Sequence, residues 1–309
     1  MSMRRLKRAG ALTIGFAALA ASVAFAPVAG ASTPKSVLVF SGGKGFASLY
    51  QTDSTGKGLK RLLIGTPSPF AKRYASPSLS RNGKLLAYML GWKLYVLNLS
   101  TGHKTGPLSN NALLARMSPD GKKVGDLELY PNAQTGQIDV STAVTFNASG
   151  AGTNHGRTTV CSTGSFGFTT NDRILASYSD QYVPAADRWE NGIGVMAQDG
   201  TGLETPIAFT LGYDLSDPAV SPNGRLLAVT RAAPGATEGQ IAIYDFATGA
   251  FVQTLTTGSN DSGPVWSPDG MRIAFVRGAS TSGARIYTVP ATGGSLKSIA
   301  TGRSVTWGT

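Results

Sequence analysis

The sequence is poor in several residue types, and each shortage excludes a class of protein. Its 309 residues include one cysteine and two histidines, which excludes a disulfide framework and a zinc site built from Cys and His. Charged residues make up only 15% of the chain, too few for a long coiled coil or an acidic disordered protein. Glycine is abundant, however, and 39 Gly with 16 Pro favour many short strands joined by turns.

The first 31 residues have the pattern of a signal peptide. Four basic residues lie within the first eight positions, and a long uncharged, mostly apolar run follows. Ala29-Gly30-Ala31 supplies the small residues that a signal peptidase accepts, so we predict cleavage between Ala31 and Ser32. An uncleaved membrane anchor is the alternative. The Arg4-Arg5 pair leaves both Sec and twin-arginine export open.

Removing residues 1–31 leaves residues 32–309 as one predicted domain. It holds 24 basic and 17 acidic residues, a formal net charge of +7. This mild excess predicts a solubilising surface rather than a nucleic-acid or polyanion site. Cys161 lies far from the cleavage site, so no lipid can be attached at the new N-terminus. We therefore expect a soluble monomer in the periplasm or outside the cell, with no membrane or nucleic-acid partner.

A short pattern recurs along the chain and predicts its fold. The four clear copies are PSLSRNGKLLAY from Pro77, ARMSPDGKKVG from Ala115, PAVSPNGRLLAV from Pro218 and PVWSPDGMRIAF from Pro264. A fifth, from Phe166, keeps the polar turn but lacks its Pro and Gly. In Ser-Pro-Asp-Gly, Pro fixes φ, Asp bonds its own backbone and Gly takes the left-handed conformation. The apolar residues that follow indicate a strand covered on both faces.

A second turn follows downstream of these strands. It ends in Thr-Gly and is preceded by a strand with a tyrosine, in LYQTDSTG from Leu49, LYVLNLSTG from Leu94, IYDFATG from Ile243 and IYTVPATG from Ile286. The two turns together define a meander of four strands. Its recurrence at about 40–50 residues is typical of a β-propeller, in which each such sheet is one blade.

With these repeats, the chain resembles the TolB-like family of WD-like propeller proteins. The hallmark of that family is the WSPDG turn, found here at Trp266–Gly270. The resemblance covers nearly all of residues 35–309. It implies a non-enzymatic module that engages a protein or peptide partner.

The two ends of the chain predict how the ring closes. Ser304–Gly308 matches the first strand of a repeat, Pro264–Ser267, and Ser36–Phe40 matches the second strand, Arg272–Phe275. The last strand and the first three should therefore form one blade. With blades near residues 76–110, 114–160, 165–210, 217–258 and 263–302, we predict an all-β, six-bladed propeller, with five or seven blades as the nearest alternatives.

The loops of such a blade fall on two faces of the disc. Turns between its first and second strands, and between its third and fourth, lie on one face, and here these turns are short. We call this the short-turn face. The other face, the long-loop face, carries longer segments such as Asp180–Asn191, Leu211–Asp217 and Arg231–Gly239. Binding residues are concentrated on irregular loops held by a rigid scaffold, so we predict that the long-loop face is the working surface.

Two sets of side chains are candidates for partner binding on this face. The segment from Ser177 brings together Tyr178, Tyr182, Arg188 and Trp189, residue types that carry binding energy at interfaces; alternatively its Trp packs on its own blade. The second set precedes the predicted innermost strands and would ring the mouth of the central channel: Tyr74, Asp217, Asp261 and Arg303. Solvated rim residues without a dedicated ligand are the alternative for this set.

The residue inventory gives no catalytic constellation. GxSxG and HExxH motifs and a calcium loop are lacking. His103 and His155 are predicted as exposed turn residues, and Cys161 as a buried strand residue rather than a nucleophile. We predict no catalytic, cofactor or metal site. The leading hypothesis is a secreted, non-enzymatic module that binds a protein or peptide. The alternative is an extracellular propeller enzyme or carbohydrate-binding protein acting on glycans or lactones in the channel.

Overall fold

The computed structural model describes residues 36–131, 138–151, 156–160, 165–183, 188–196, 203–258 and 260–309. These ranges contain the following strands: β1 (Val37–Gly42), β2 (Ser48–Asp53), β3 (Lys60–Leu63), β4 (Tyr74–Leu79), β5 (Leu85–Leu90), β6 (Lys93–Asn98), β7 (Lys104–Ser109), β8 (Ala115–Met117), β9 (Lys123–Pro131), β10 (Ile138–Asn147), β11 (Gly156–Val160), β12 (Phe166–Phe168), β13 (Ile174–Val183), β14 (Arg188–Met196), β15 (Leu203–Ala208), β16 (Asp214–Val220), β17 (Leu226–Ala232), β18 (Gln240–Asp245), β19 (Phe251–Thr254), β20 (Asp261–Trp266), β21 (Arg272–Arg277), β22 (Arg285–Pro290), β23 (Lys297–Thr301) and β24 (Val305–Gly308). Two single-turn 3₁₀ helices lie at Lys44–Phe46 and Phe70–Lys72.

The strands form six antiparallel sheets of four strands each. Blade 1 has the order β24-β1-β2-β3, and blades 2 to 6 are β4–β7, β8–β11, β12–β15, β16–β19 and β20–β23. The innermost strands contact one another in the order β24, β4, β8, β12, β16 and β20, and β20 contacts β24 again. This closed ring confirms the predicted six-bladed β-propeller. No helix among the described residues is long and apolar enough to cross a membrane.

The ring closes through hydrogen bonds between the two ends of the described chain, as the sequence predicts. Strand β24 pairs with β1, with Trp307 opposite Leu38. The Trp307 side chain is buried in a cluster with Leu38 and Phe40, and its Nε1 donates a hydrogen bond to Ser36 Oγ. Blade 1 thus depends on an innermost strand that arrives last in the chain.

The apolar strands are explained by packing on both faces of each blade. In β17, Leu226 and Ala228 pack toward blade 6, in a cluster with Trp266. The alternate residues, Leu227 and Val229, pack toward blade 4. Because successive side chains of a strand point to opposite faces, a strand between two neighbouring blades is apolar throughout. Burying one such side chain stabilises the fold by about 1.5–3 kcal/mol.

The turn between the first and second strands is held by local hydrogen bonds. In blade 6, Arg272 N donates to Ser267 Oγ at 2.9 Å and Met271 N donates to Asp269 Oδ1 at 2.9 Å, while Gly270 has φ of 73°. The degenerate copy in blade 4 forms a similar turn that closes one residue earlier, since Thr169 N donates to Arg173 O where Ser267 N donates to Arg272 O. Arg173 N donates to Thr169 Oγ1 at 3.0 Å. Asp172 takes the left-handed position that glycine has in the other copies, with φ of 62°.

One predicted loop is a β-hairpin. We expected the segment Asp180–Asn191 to be a long loop, but β13 and β14 pair outward as far as Val183 opposite Arg188. Tyr182 and Trp189, aromatic residues of a type enriched in strands, lie opposite each other in this outer part of the pair. Residues 1–35 with the cleavage site between Ala31 and Ser32, His155 and Cys161 lie outside the described residues.

Candidate functional site

The two faces of the disc differ in regularity, as predicted, but several connections of the long-loop face are no longer than the short turns. On the short-turn face, each described turn from first to second strand spans five residues, at 80–84, 118–122, 169–173, 221–225 and 267–271. On the long-loop face, the described connections range from two residues, at 91–92, to ten, at 64–73. The irregular backbone of the long-loop face therefore surrounds one end of a regular central channel.

The central channel has a volume of about 360 Å³ and is lined by the innermost strands of all six blades, with residues of four short turns also lining it: Arg81, Pro119, Pro222 and Pro268. Side chains join these strands across blade boundaries. Ala115 N donates to Ser76 Oγ at 3.0 Å and Leu79 N donates to Thr306 Oγ1 at 3.0 Å. Much of the polar wall thus bonds to the neighbouring blade. The channel is preformed because these bonds fix its lining.

Arg116 is a charged residue of the channel that the sequence did not single out. It lies deep in the channel wall, where Nε donates to Phe166 O at 3.1 Å and Nη1 donates to Ala115 O at 3.1 Å. Burial lowers the pKa of this guanidinium, and the negative charge of Asp217 acts in the opposite direction. The guanidinium nevertheless remains protonated, because arginine is not deprotonated in proteins. The channel wall therefore carries a positive charge on blade 3 and the carboxyl group of Asp217 on blade 5.

Asp217 lines the channel, but its position differs from the one predicted. It lies inside β16 rather than before it, at a register shift, with φ of 49°. Its Oδ2 accepts hydrogen bonds from Thr230 Oγ1 at 2.9 Å and from Gly263 N, in the next blade, at 3.3 Å. Asp217 thus links blades 5 and 6 and also faces the cavity.

Asp261 was predicted at the mouth of the channel, but the structure places its side chain in the interior. The carboxylate is fully buried. It accepts a hydrogen bond from Arg277 Nε at 2.6 Å on Oδ1 and one from Nη2 at 2.9 Å on Oδ2. This two-pronged hydrogen bond raises the pKa of Arg277. The sequence could not show this pair, because it depends on the register of β20 against β21.

Tyr74 and Arg303 precede or begin innermost strands, as predicted, but both fill blade junctions. The Tyr74 ring lies 5.5 Å from that of Tyr88, measured between centroids, in the core between blades 1 and 2. Arg303 lies 4.6 Å above the ring of Phe46 and donates from Nη2 to Thr281 O at 3.0 Å. Neither is among the residues that line the channel.

The blade 4 candidates divide between the core and the hairpin. Tyr178, which we predicted as a partner-binding residue of the segment from Ser177, lies in β13 and is buried in an apolar cluster, so its ring is not exposed for such a contact. Tyr182 lies opposite Trp189 and Val183 opposite Arg188 in the outer part of the hairpin. The prediction that Tyr182, Arg188 and Trp189 bind a partner remains a prediction.

A series of arginine–aromatic pairs marks the long-loop side of the disc. The distance from the guanidinium carbon to the ring centroid is 3.6 Å for Arg231 over Tyr213 and 5.2 Å for Arg277 over Tyr287. The same distance is 6.0 Å for Arg73 over Phe70. Each contact holds an arginine in one orientation by cation–π attraction. With the Arg303 pair, they lie in or beside blades 1, 2, 5 and 6, partly in strands and partly in connections.

Sequence reasoning also missed an exposed aromatic pair on this face. Phe70 and Trp92 lie 4.6 Å apart, centroid to centroid, with 38% and 53% of their surface exposed. A signal was present in the sequence. Trp92 follows a glycine in a connection of two residues, and Phe70 follows Pro-Ser-Pro, so neither lies in a strand that could bury it.

The described residues offer contacts for binding but no metal centre. No three His, Cys, Asp or Glu side chains in this part of the chain are placed to hold a metal ion. His103 is exposed in the turn between β6 and β7, where its backbone N donates to Thr101 Oγ1 at 3.2 Å. Its predicted place in a turn is confirmed.

Comparison with solved structures identifies the type of propeller. TolB from Acinetobacter baumannii superposes with a TM-score of 0.63 at 17% identity, covering 88% of this chain and 66% of that protein. A protein assigned as TolB from Agrobacterium tumefaciens gives 0.57 at 20% identity, covering 87% and 90%. No protein-family model and no curated protein matches the sequence. At these identities the likeness establishes the fold, and the chain has the six-bladed β-propeller of TolB proteins.

Proposed function

We propose that the protein is a secreted, non-enzymatic scaffold that binds a protein or peptide partner through the long-loop face and the mouth of its channel. The observation that carries this proposal is the set of four arginine–aromatic contacts on that side, at Arg73, Arg231, Arg277 and Arg303. Arginine and aromatic residues are enriched at protein interfaces and dominate their binding energy. The fold shared with TolB proteins supports the same reading.

The rigidity of the scaffold supports this role. The loops of the long-loop face begin and end on paired strands, and buried side chains fasten them. Asp214 accepts hydrogen bonds from Asn191 N at 3.0 Å and from Gly235 N at 2.8 Å, which ties blade 4 to a loop of blade 5. A surface held in this way loses little conformational entropy on binding.

The channel sets a size limit on what can enter it. A cavity of about 360 Å³ is at the lower end of the range for small-molecule sites. It accommodates a few side chains or the end of an extended peptide, but not a folded element. Arg116 and Asp217 would orient such a segment by its charges.

Export is part of the proposal and rests on residues 1–31. We propose that this segment directs the chain out of the cytoplasm and is removed before Ser32. The intact mass of the exported protein tests this directly. A mass that retains the apolar segment would contradict the proposal. So would normal processing of a variant in which bulky residues replace Ala29 and Ala31.

The binding proposal is tested with matched bait variants. Leu211 is exposed on the long-loop face and Met271 on the short-turn face, with similar exposed fractions of 63% and 57%. Leu211→Asp and Met271→Asp baits are compared with wild type for the proteins they capture from the native envelope, measured by quantitative mass spectrometry. We expect Leu211→Asp, but not Met271→Asp, to lose a specific protein.

The opposite pattern would overturn the choice of face. A parallel thermal-shift screen with sugars, lactones and divalent metals tests the alternative function. Stabilisation by one of these compounds, with no protein lost from either bait, would favour an enzyme or a carbohydrate-binding protein.

A further inference from the structure

Charge is distributed very unevenly along this chain. Residues 54–119, which form β3, blade 2 and the start of blade 3, contain ten Lys and Arg and no Asp or Glu. Residues 120–309 contain 12 basic and 16 acidic residues. Positive charge is therefore concentrated in residues 54–119, the basic sector, whereas residues 120–309 taken together are net acidic.

On the long-loop face, this basic sector carries the exposed pair Phe70–Trp92. The two rings come from different blade connections, yet the backbone around them is fixed. Gly91 N donates to Arg73 O at 2.9 Å, and Ala112 N donates to Trp92 O at 2.8 Å. A Cβ at Gly91, which has φ of 61°, would lie 2.9 Å from the Cα of residue 71, so this close approach requires glycine.

Four basic residues lie close to the aromatic pair in the chain or in a neighbouring connection, and one of them, Arg73, lies 6.0 Å from the Phe70 ring centroid. Lys72 and Arg73 follow Phe70 directly, and Lys93 follows Trp92. Lys44 adjoins Gly45, which packs against Pro67 in the same connection as Phe70. The three lysines are exposed. None of the ion pairs between described residues includes any of the four, and the buried Nε of Arg73 has no hydrogen-bond partner among those residues. We call Lys44, Phe70, Lys72, Arg73, Trp92 and Lys93 the basic–aromatic patch.

An apolar centre with a charged rim is the anatomy of a protein interface. A site for a linear polyanion would instead be dominated by a track of cations that follows the backbone charges. Extending the proposed function, on which this inference rests, we propose that the basic–aromatic patch docks an acidic segment of a partner protein. An apolar side chain of that segment would contact Phe70 and Trp92, while its carboxylates would pair with the lysines and Arg73.

The test uses defined probes on the mature protein. A fluorescein-labelled 12-residue peptide of Asp and Glu with one central Leu is titrated by fluorescence polarisation, beside the same peptide with Ser in place of Leu. The variants are Trp92→Ala and the double charge reversal Lys72→Glu/Lys93→Glu. The matched control is Lys57→Glu/Lys84→Glu, which makes the same charge change at exposed lysines of the short-turn face.

We expect the Leu peptide to bind more tightly than the Ser peptide. We also expect Trp92→Ala and the patch charge reversal each to weaken binding by about tenfold or more, and the control by less than about twofold. Added salt should weaken binding to wild type more than binding to the patch charge reversal. Unchanged melting temperatures verify that the variants fold.

Several outcomes would overturn the inference. Equal binding of the two peptides, an equal loss in the control variant, or no binding by either peptide would each do so. Dextran sulfate or phosphatidylglycerol vesicles that bind in a Trp92-dependent manner, where the Leu peptide does not, would assign the patch to a polymer or a membrane. If one of these outcomes is found and Leu211→Asp still loses a captured protein, the inference about the patch fails but the proposed function stands.

Discussion

The two faces of the disc are made by the same strands but follow different rules. On the short-turn face, turns of five residues recur with the same hydroxyl–backbone hydrogen bond, as at Ser80, Ser118, Ser221 and Ser267. On the long-loop face, no two of the described connections share such a scheme, and arginines lie on aromatic rings instead. Local, repeated chemistry therefore builds the fold, and the face where the repeat is broken is the one that we propose binds the partner.

Buried carboxylates on the long-loop side show the same lack of repetition. Asp261 is paired with Arg277. Asp126, also fully buried, accepts a hydrogen bond from Leu113 N at 3.2 Å, and its Oδ2 has no partner among the described residues. Burial raises the pKa of Asp126 to about 7, and the negative charge of Glu128 contributes. The blades share one strand order but differ in the charges that they bury.

The largest expected effect compares two tryptophans. Trp307→Ala removes a buried indole from the closing strand and should lower the free energy of unfolding by about 3–5 kcal/mol. Trp92→Ala, on the exposed face, should change it by less than about 1 kcal/mol. Chemical denaturation of the two variants measures the difference. If Trp307→Ala unfolded like the parent, the ring closure would not be holding the disc together.

Asp261→Asn separates a structural role of this side chain from a binding role. The variant leaves Arg277 without its charged partner, and breaking such a pair should destabilise the protein by about 3 kcal/mol, at the low end because Arg277 is partly exposed. Thermal and urea unfolding measure it, with Asp269→Asn on the short-turn face as control. If Asp261→Asn melted at the parent's temperature but failed to capture the partner in the bait assay, Asp261 would be a binding residue, as first predicted.

Asp126 makes stability depend on pH. Its pKa of about 7 in the folded state lies above the ordinary value of about 3.9 in the unfolded chain. The folded state therefore binds more protons between these two pH values. As a result, the free energy of unfolding is highest below about pH 4 and falls as the pH rises from 4 through 7. The loss should be about 2–4 kcal/mol.

The variant Asp126→Asn provides the check on this pH dependence. It should flatten the pH dependence of urea unfolding between pH 4 and 8 and exceed the parent in stability at pH 8. Parallel curves for the two proteins would show that Asp126 is ionised in the fold.

The smallest effect is expected from a single short turn. Asp269→Ala removes the acceptor for Met271 N and should cost about 1 kcal/mol, without altering the capture of partner proteins. Melting curves and the bait assay are run together. A loss of binding here, with unchanged stability, would reverse the roles assigned to the two faces.

The fold was predictable because its information is local. Ser-Pro-Asp-Gly turns and apolar strands specify a blade within a few residues, and the match of Ser304–Gly308 to Pro264–Ser267 specified the closure. The site was less predictable because its contacts join distant residues. The burial of Asp261 depends on Arg277, and the buried position of Tyr178 depends on how blade 4 packs. Arg116 gave no local signal, since its partners come from the backbone of two blades.

Site-specific photo-crosslinking in the cells that make the protein tests the central claim most directly, namely that the long-loop face is the binding face. A benzophenone amino acid is placed in turn at Trp92 and Leu211 on that face, and at Lys84 and Met271 on the short-turn face, all exposed positions. The account predicts a discrete crosslinked protein from Trp92 or Leu211 and none from Lys84 or Met271. The same adduct from the short-turn positions alone would contradict it.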